Sequence, residues 1–264
     1  MDNILEVRDL NISLLENNST IVKDVSFDVG RGKVLGIIGE SGSGKTLTCK
    51  AMLKLLNEKV FGVRGKVKLN GADILNMDDK QSRAFIGKDI SMIMQNPMTA
   101  FDPMMKVGNH IVETLKAHTS LSKKQAYAVG MRVLEKMNLQ RVAEIMNSYP
   151  HTLSGGMLQR VMIAIALMLK PRVIVADEAT TALDVKNQAI ILDEFQKMRD
   201  SGIGLLVVTH DFGVIGKVAD EVLVMKGGEI IERGTVHQIF YNPRTEYTKE
   251  LLEARFLVDE VNYA

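Results

Sequence analysis

One octapeptide constrains the fold of this chain more than any other stretch. The residues G-E-S-G-S-G-K-T at 39–46 match the pattern G-x-x-x-x-G-K-[ST] at every fixed position. The run V-L-G-I-I at 34–38 precedes it, and its β-branched residues predict a buried strand. Leu47, Ala51 and Leu55 follow at helical spacing. A strand, a glycine-rich loop and a helix in this order predict a phosphate-binding loop.

The chemistry of this loop is suited to an anion. Glycines let the backbone wrap around phosphate oxygens, and the loop amides and the helix N-terminus carry partial positive charge. Lys45 adds a full positive charge, and Thr46 offers a hydroxyl to a magnesium ion. The alternative is a glycine-rich turn that Lys-Thr follows by chance. We predict nucleotide binding by Gly39, Glu40, Ser41, Gly42, Ser43, Gly44, Lys45 and Thr46.

The composition limits the function classes. With 264 residues, 46% of them hydrophobic and 25% charged, the protein is predicted to form one compact unit with subdomains. A formal net charge of +1, without a dense Lys/Arg block, argues against a dedicated nucleic-acid surface. The single cysteine, Cys49, cannot form an internal disulfide, and no signal-peptide pattern opens the sequence, so the cytoplasm is expected. The longest apolar run, 161–169, is about half of a membrane span.

Periodicity divides the rest of the sequence into β-rich and helical parts. Residues 4–10 and 21–29 predict a hairpin before the core, and 66–69 and 91–94 predict two further strands. From 107 to 146 the apolar residues step by three or four, which predicts an inserted helical subdomain. Its methionines are interpreted as fillers of irregular core gaps, with metal binding as the alternative.

Two later stretches carry candidate chemistry. The sequence L-S-G-G-M-L-Q-R at 153–160 opens an apolar helix, and its start is a second N-terminus suited to an anion. The alternative is structural, because Ser is a common N-cap and Gly-Gly a common turn. About ten residues further on, a predicted buried strand ends in Asp177 and Glu178. Paired carboxylates at the carboxyl edge of a parallel sheet are suited to magnesium and an attacking water.

Taken together, these motifs resemble those of the ATP-binding cassette (ABC) family over nearly the whole sequence. They occur in the family's order: the Walker A loop at 39–46, the Q-loop glutamine Gln95, the signature at 153–159, the Walker B pair Asp177 and Glu178, the D-loop T-A-L-D at 181–184, and the switch histidine His210. Six motifs in this order make coincidence negligible.

The resemblance implies an α/β fold, namely a P-loop NTPase (RecA-like) core with an N-terminal antiparallel β subdomain and an inserted α-helical subdomain. It implies one ATPase domain over 1–264. The β subdomain and the core are expected at about 1–95 and 170–240, the helical subdomain at about 96–169, and a short C-terminal tail at 241–264.

The resemblance also implies ATP hydrolysis with Mg²⁺ and assigns a role to each motif residue. Lys45 stabilises charge on the phosphates, Glu178 orients and polarises the attacking water, and His210 contacts the γ-phosphate and holds Glu178. Gln95 completes the magnesium shell and reports the γ-phosphate to the helical subdomain. The implied magnesium ligands are Thr46, Gln95 and Asp177, the last through a water. Ser154, Gly155 and Gly156 are implied to complete the ATP site of another chain.

Within the family, M-Q-N-P at 94–97, the signature and F-Y-N-P-R at 240–244 are most similar to the ATPases of peptide and nickel importers. The variant M-L-Q-R at 157–160 favours the nickel or metal-chelate branch, with an oligopeptide or dipeptide importer as the alternative. The implied location is the cytoplasmic face of the cell membrane. The implied partners are a second ABC ATPase, as a heterodimer before a homodimer, two transmembrane permeases and, indirectly, an extracytoplasmic substrate-binding protein.

Two other function classes stay open. The first is a soluble ATPase of the same fold that acts on nucleic acid or in cofactor assembly, although no long coiled coil interrupts 95–153 as it usually does in DNA-acting relatives. The second is a P-loop nucleotide kinase, which would lack the signature and His210.

In the importers the docking surface for the permeases lies beside the Q-loop. That surface is expected at 96–105, where the exposed residues would be Met98, Phe101, Met104 and Met105. The alternative is that this loop packs on its own core.

The sequence departs from the family pattern in three places. The family usually has an aromatic residue near the end of the first strand to stack on adenine, but only Leu14 is available here, so apolar contact is expected to hold the base. Ala179 stands where a proline usually follows the catalytic Glu, which should loosen that turn slightly. The C-terminal tail carries no cysteines, unlike that of iron–sulfur relatives.

The remaining histidines lack mutual ligand spacing and are interpreted as ordinary surface or core residues: His110, His118, His151 and His237.

Overall fold

The computed structural model describes the backbone of residues 2–180 and 185–262 and the side chains of residues 2–180 and 187–254. The described strands form two sheets. The smaller sheet is antiparallel, has the strand order β2-β1-β4-β5, and comprises β1 (Asn3–Leu14), β2 (Thr20–Gly30), β4 (Phe61–Leu69) and β5 (Ala72–Asp73).

The predicted N-terminal hairpin is present, and its strands are longer than expected. The alternation of buried residues in β1 breaks after Val7 and resumes at Leu10, because Asp9 lies at a positive φ of 50° where the register shifts. Such a bulge hides the strand pattern from a strict two-residue period. This is why the sequence predicted a strand of 4–10 where the structure has Asn3–Leu14.

The larger sheet forms the core of the fold. Its strand order is β10-β9-β3-β8-β7-β6, with every pair parallel except β9 and β10. The strands are β3 (Val34–Ile38), β6 (Ile90–Ile93), β7 (Val173–Asp177), β8 (Gly204–Val208), β9 (Glu221–Lys226) and β10 (Glu229–Thr235). The three strands β3, β7 and β8 are buried along their whole length, as expected for a parallel sheet covered on both faces.

Side-chain alternation assigns each face of this sheet to a different apolar cluster. Val173 and Val175 of β7 pack with the residues of the antiparallel sheet. Ile174 and Ala176, which point to the opposite face, pack with the helices that follow β6. The antiparallel sheet and the helical layer therefore lie on opposite faces of the parallel sheet.

Helices connect the strands and form the helical layer. They are α1 (Lys45–Met52), α2 (Asp79–Ser82), α3 (Val107–His118), α4 (Lys123–Lys136), α5 (Val142–Asn147), α6 (Gly155–Leu167), α7 (Val185–Asp200), α8 (Phe212–Val218), α9 (Val236–Tyr241) and α10 (Glu246–Asn262). The run α3 to α6 lies where helices were predicted between Gln95 and β7. The exact subdomain boundaries given above stay a prediction. Within the described ranges, no helix is both long and apolar enough to span a membrane.

The structure differs from the sequence expectation, or adds to it, in three stretches. The helix after the phosphate loop ends at Met52, before Leu55, because Lys54 takes a positive φ of 52° that ends the helical path. The stretch 241–264 was predicted as a short tail without an assigned helix, and its described residues include the helix α10 (Glu246–Asn262). The hairpin of β9 and β10 was also not predicted from the sequence.

Candidate functional site

The carboxyl ends of four parallel strands meet at one edge of the larger sheet. β3 leads into the loop 39–44, β6 into Gln95, β7 into Glu178, and β8 into His210. This edge is where open α/β sheets bind their ligands. The topology therefore brings together the residues predicted as Walker A, Q-loop, Walker B and switch residues.

The phosphate-binding loop wraps around the buried ammonium of Lys45. Its Nζ donates hydrogen bonds of 2.8 Å to both Gly39 O and Glu40 O. Gly39 is at φ 152°, and a Cβ there would collide with the carbonyl oxygen of Met225 on β9, so glycine is required. Burial lowers the pKa of Lys45, although the carboxylates of Glu178 and Asp177 oppose that shift.

Asp177 ends β7 beneath the start of α1. Thr46 Oγ1 donates to Asp177 Oδ1 at 3.1 Å, although 131 positions separate the two residues. Asp177 is only 4% exposed. Burial raises its pKa, and the charge of Glu178 adds to the rise, while the hydrogen bond from Thr46 opposes it.

These residues fit a magnesium ion by their donor chemistry. A hydroxyl (Thr46), a buried carboxylate (Asp177) and an amide oxygen (Gln95) are hard oxygen ligands of the kind that Mg²⁺ prefers. The described residues contain no cluster of three or more His, Cys, Asp or Glu side chains that could hold a metal by themselves. A magnesium site with few protein ligands, completed by waters and substrate phosphates, matches this pattern.

Glu178 turns away from β7 in a left-handed conformation with φ 49°, and its N–H donates to Val208 O at 2.7 Å. Its side chain faces two predicted partners. Gln95 Nε2 donates to Glu178 Oε2 at 2.7 Å, and His210 Nδ1 lies 3.4 Å from Oε1. A non-glycine residue in this backbone region is uncommon and concentrates at functional sites.

The turn after Glu178 has a support that the sequence did not indicate. Gln159, which is buried on α6, donates its Nε2 to the carbonyl oxygen of Ala179 at 2.8 Å. The signature helix therefore contacts the Walker B turn of its own chain. Ala179 was expected to loosen this turn, and that effect stays a prediction.

Ser154, Gly155 and Gly156 form the N-terminus of α6. The Ser154 hydroxyl accepts the N–H of Met157 at 3.3 Å, which is the N-cap contact expected from its sequence position. Ser154 and Gly155 are exposed. The predicted D-loop residues 181–184 lie outside the described residues.

An aromatic residue that the sequence analysis missed lies opposite Leu14. Leu14 ends β1 half-buried, and its cross-strand partner on β4 is Phe61, also half-buried. Directly opposed residues of antiparallel strands project on the same face. Only the register between β1 and β4 brings these two apolar side chains together, so their separation in sequence concealed the pair.

The predicted docking segment 96–105 is only partly exposed. Met98 and Met104 are exposed, Met104 by 83%, and Met105 is half-buried. The expectation that Phe101 is exposed is wrong. Its ring is 6% exposed and packs edge-to-face on His110, with 5.1 Å between ring centroids.

Of the histidines interpreted as ordinary residues, three contact aromatic rings. His110 packs on Phe101, His151 on Tyr149 and His237 on Tyr241. Burial lowers the pKa of His118, and nearby Lys88 lowers it further.

Comparison with known proteins defines the class. The ABC transporter family profile matches residues 22–181, more than half of the sequence. The protein therefore belongs to the ABC transporter family, of which it is the ATPase domain.

Three relatives show how far the similarity extends. The Metal-staphylopine import system ATP-binding protein CntD of Staphylococcus aureus is 41% identical over 258 residues, which cover 97% of this chain and 95% of that protein. The Oligopeptide transport ATP-binding protein OppD of Bacillus subtilis is 43% identical over 94% of this chain and 71% of its own length. The Glutathione import ATP-binding protein GsiA of Escherichia coli is 40% identical over 96% of this chain, which spans 42% of that protein.

Solved structures show the same fold. A structure described as the ATP-binding subunit of an ABC transporter has a TM-score of 0.75 and 25% identity, and the match covers 95% of this chain and 98% of that one. The dimeric post-hydrolysis ATP-binding cassette MJ0796, bound to ADP and Pi, also has a TM-score of 0.75, with 24% identity over 88% of this chain and 98% of its own. The predicted family, fold class and ATPase activity are confirmed.

Proposed function

We propose that this protein is the ATP-hydrolysing motor subunit of an ABC importer for a metal chelate or an oligopeptide. The observation that carries the catalytic part is the placement of Glu178. Its carboxylate accepts a 2.7 Å hydrogen bond from Gln95 and faces His210 at 3.4 Å, at the sheet edge that also presents the phosphate loop. The names of the relatives support the transport part.

The loop 39–46 binds the phosphates of ATP through its amides, the N-terminus of α1 and Lys45. Phosphoryl transfer spreads negative charge over the γ-phosphate oxygens, so the protein acts mainly by positioning groups and stabilising that charge. Lys45 is suited to this role because its ammonium is buried and already aligned by two loop carbonyls. A buried charge interacts more strongly with an anion than one in water.

Glu178 orients the attacking water and accepts a proton from it as the water oxygen bonds to the γ-phosphorus. The bond between the γ-phosphorus and the oxygen that bridges it to the β-phosphate breaks in the same step, so ADP leaves with that oxygen and inorganic phosphate is released. Gln95 and His210 fix the direction of the carboxylate through its two oxygens. His210 also contacts the γ-phosphate, so it links the substrate to Glu178. Magnesium, which Thr46, Asp177 and Gln95 would hold, neutralises charge on the phosphate oxygens when bound.

Adenine is held by apolar contact at the end of β1. Leu14 and the opposed Phe61 offer a half-buried surface of one aliphatic and one aromatic side chain. An aromatic face gives a base a stacking partner. Phe61 therefore takes part of the role that the missing aromatic at Leu14 would have had.

The protein works with partners on the cytoplasmic face of the cell membrane. Ser154, Gly155 and Gly156 complete the ATP site of a second ABC ATPase in a head-to-tail dimer, with a different protein preferred as partner over a second copy. The exposed N-cap of α6 supports this, because its amides are accessible to a phosphate from outside the chain. Two permeases dock beside Gln95, and a substrate-binding protein outside the cell delivers the cargo.

The experiment that tests the ATPase assignment compares two variants. Glu178→Gln should bind a fluorescent ATP analogue like the wild type but lose phosphate release, since the amide cannot accept the proton. Lys45→Ala should lose both binding and turnover. Gln196→Ala, on the exposed side of α7, is the control and should lose neither. Hydrolysis by Glu178→Gln at the wild-type rate would remove Glu178 from the role of base.

The cargo is tested separately from the chemistry. Cells that lack the protein, or carry only Glu178→Gln, should lose uptake of either nickel chelates or short peptides, and the protein should copurify with two membrane proteins. Loss of both uptakes, or of neither, would contradict a dedicated importer of one class. If no membrane protein copurifies with this protein, the alternative of a soluble ATPase is favoured.

A further inference from the structure

The C-terminal part of the protein contacts the phosphate loop directly. The Tyr247 hydroxyl, at the start of α10, accepts a hydrogen bond from the backbone N–H of Glu40 at 3.2 Å. Tyr247 is 6% exposed, so the contact is shielded from water. None of the sequence motifs involves α10, and the catalytic geometry described above does not use it.

The peptide group that Tyr247 contacts is the one that holds the reactive lysine. The N–H of Glu40 and the C=O of Gly39 belong to the same planar peptide group. Lys45 Nζ donates to that carbonyl oxygen at 2.8 Å, while Tyr247 accepts from the N–H on the other side. Tyr247 of α10 therefore fixes the Gly39–Glu40 peptide plane through its N–H, and the Lys45 ammonium fixes the same plane through its carbonyl oxygen.

Tyr247 is itself held in place by a buried carboxylate. Glu232 of β10 accepts the N–H groups of Arg244 and Thr245 at 2.7 and 3.0 Å, and the Thr245 hydroxyl at 2.8 Å. These bonds anchor the backbone as it enters α10. Lys226 Nζ lies 4.2 Å from the centroid of the Tyr247 ring, a cation–π distance that restrains the ring.

The β9–β10 turn supports the same loop from a second direction. The N–H of Gly228 donates to Ser43 O at 3.1 Å. Gly39 packs against the Met225 carbonyl so closely that no side chain fits. The phosphate loop is therefore supported at both of its ends by residues that follow β8 in the sequence.

We propose that Tyr247 is a positioning residue for nucleotide binding. It orients the Gly39–Glu40 peptide, which in turn places the Lys45 ammonium where the phosphates bind. The inference rests on the nucleotide site proposed above and adds a part of the protein that the motifs do not include. Losing this one hydrogen bond should weaken binding of ATP and ADP about two- to tenfold. At saturating ATP, kcat should stay within about twofold, because Glu178 and its partners are untouched.

The test removes one oxygen atom. Tyr247→Phe keeps the ring, its packing and the Lys226 contact but loses the hydroxyl. Tyr241→Phe is the matched control, because it loses the same atom and Tyr241 on α9 is 75% exposed, with its ring packed on His237. For both variants and the wild type, binding of fluorescent ATP and ADP and the steady-state KM and kcat are measured. The expected result is a raised Kd and KM for Tyr247→Phe only.

A second measurement follows the contact itself. Hydrogen exchange at the Glu40 amide of the nucleotide-free full-length protein should be slow in the wild type and faster in Tyr247→Phe, with the amides of β3 unchanged. If the Glu40 amide of the wild type exchanged as fast as an amide in an unstructured peptide, that result alone would overturn the proposal. Wild-type nucleotide affinity in Tyr247→Phe would also overturn it. A wild-type protein that binds no ATP would instead refute the proposed function.

Discussion

Gln95 Nε2 donates a 2.7 Å hydrogen bond to Glu178 Oε2 across two neighbouring parallel strands. Gln95 follows β6 and Glu178 follows β7, and Ile93 pairs with Ala176 just before them. Gln95 is also the first polar residue of the segment that leads into α3. The orientation of the proposed base therefore depends on where that segment lies, which gives the docking surface a physical connection to the reaction.

The first prediction concerns this pair. Gln95→Ala should lower kcat about tenfold or more, because the Glu178 carboxylate loses a charge-assisted hydrogen bond that fixes its direction. Nucleotide affinity should change less than about threefold, since the phosphate loop is intact. The measurement is phosphate release beside equilibrium binding of an ATP analogue, with Gln196→Ala as control. A normal kcat would show that Glu178 is oriented without Gln95.

Much of this site could be predicted because its residues lie in short, contiguous motifs. The strand, loop and helix around Lys45 follow from local periodicity and glycine placement. The carboxyl edge of a parallel sheet then gathers Gln95, Glu178 and His210 wherever they lie in the sequence. The fold class was implied by the family resemblance that these motifs carry.

The missed features depend on contacts between distant segments. Tyr247 meets Glu40 only through the packing of α10, and Phe61 meets Leu14 only through strand register. Phe101 was expected on the surface because the family resemblance puts the docking surface at 96–105. In the structure its ring is buried against His110 of α3, whereas Met98 and Met104 of the same loop are exposed to solvent. The sequence of the loop does not show which of its apolar residues turns towards the helices.

The second prediction concerns pH and the anchor of α10. Burial raises the pKa of Glu232, but hydrogen bonds from Thr248, from the Arg244 and Thr245 backbone and from the Thr245 hydroxyl outweigh this and leave the pKa below its ordinary 4.5. A lowered pKa means that the carboxylate stabilises the fold at neutral pH and that this contribution is lost as the pH falls through the folded-state pKa.

Glu232→Gln should therefore destabilise the protein at pH 7 by about 1.5–3 kcal/mol, a typical contribution of hydrogen bonds to a charged group. The difference from the wild type should shrink as the pH falls below the ordinary pKa of 4.5. Thermal unfolding across a pH series measures it. Glu250→Gln, exposed on α10, is the control and should change Tm little. A difference independent of pH would mean that the charge of Glu232 is not what anchors α10.

The third prediction concerns the docking surface. Met104→Glu should abolish uptake and reduce copurification of membrane proteins, because a charge on a residue 83% exposed in this structure would be buried against a permease. ATPase activity of the isolated protein should stay near wild type. Leu55→Glu, another exposed apolar position, is the control. Phe101 is unsuitable for this test because a charge there would disrupt the core.

Uptake that survives Met104→Glu, and also Met98→Glu, would place the permease contact elsewhere. Loss of uptake together with loss of ATPase activity in the isolated protein would indicate a folding defect. Thermal unfolding of each variant separates that case from a docking defect.

The last prediction is that the N-terminus of α6 serves a neighbouring chain. The loop 39–46 and Lys45 already approach the phosphates from one side, so a second helix N-terminus is useful only from the opposite side. Ser154→Arg should leave ATP binding by the isolated protein near normal and stop turnover in the dimer. Ser122→Arg is the matched control, because the Ser122 hydroxyl caps α4 in the same way, by accepting the N–H of Gln125. Both changes remove one N-cap, at a cost of about 0.5–2 kcal/mol, so only the active-site effect should differ.

Dimer dependence gives this prediction a second measurement. If sites form between two protomers, activity per mole of the isolated protein should rise with protein concentration. Mixing the Ser154→Arg and Glu178→Gln variants should restore part of the activity, because one of the two sites then combines an intact Glu178 with an intact Ser154. Recovery fails if both sites must fire together, and the concentration series still decides in that case. Loss of ATP binding in monomeric Ser154→Arg, with flat specific activity on dilution, would mean that Ser154 acts within its own protomer.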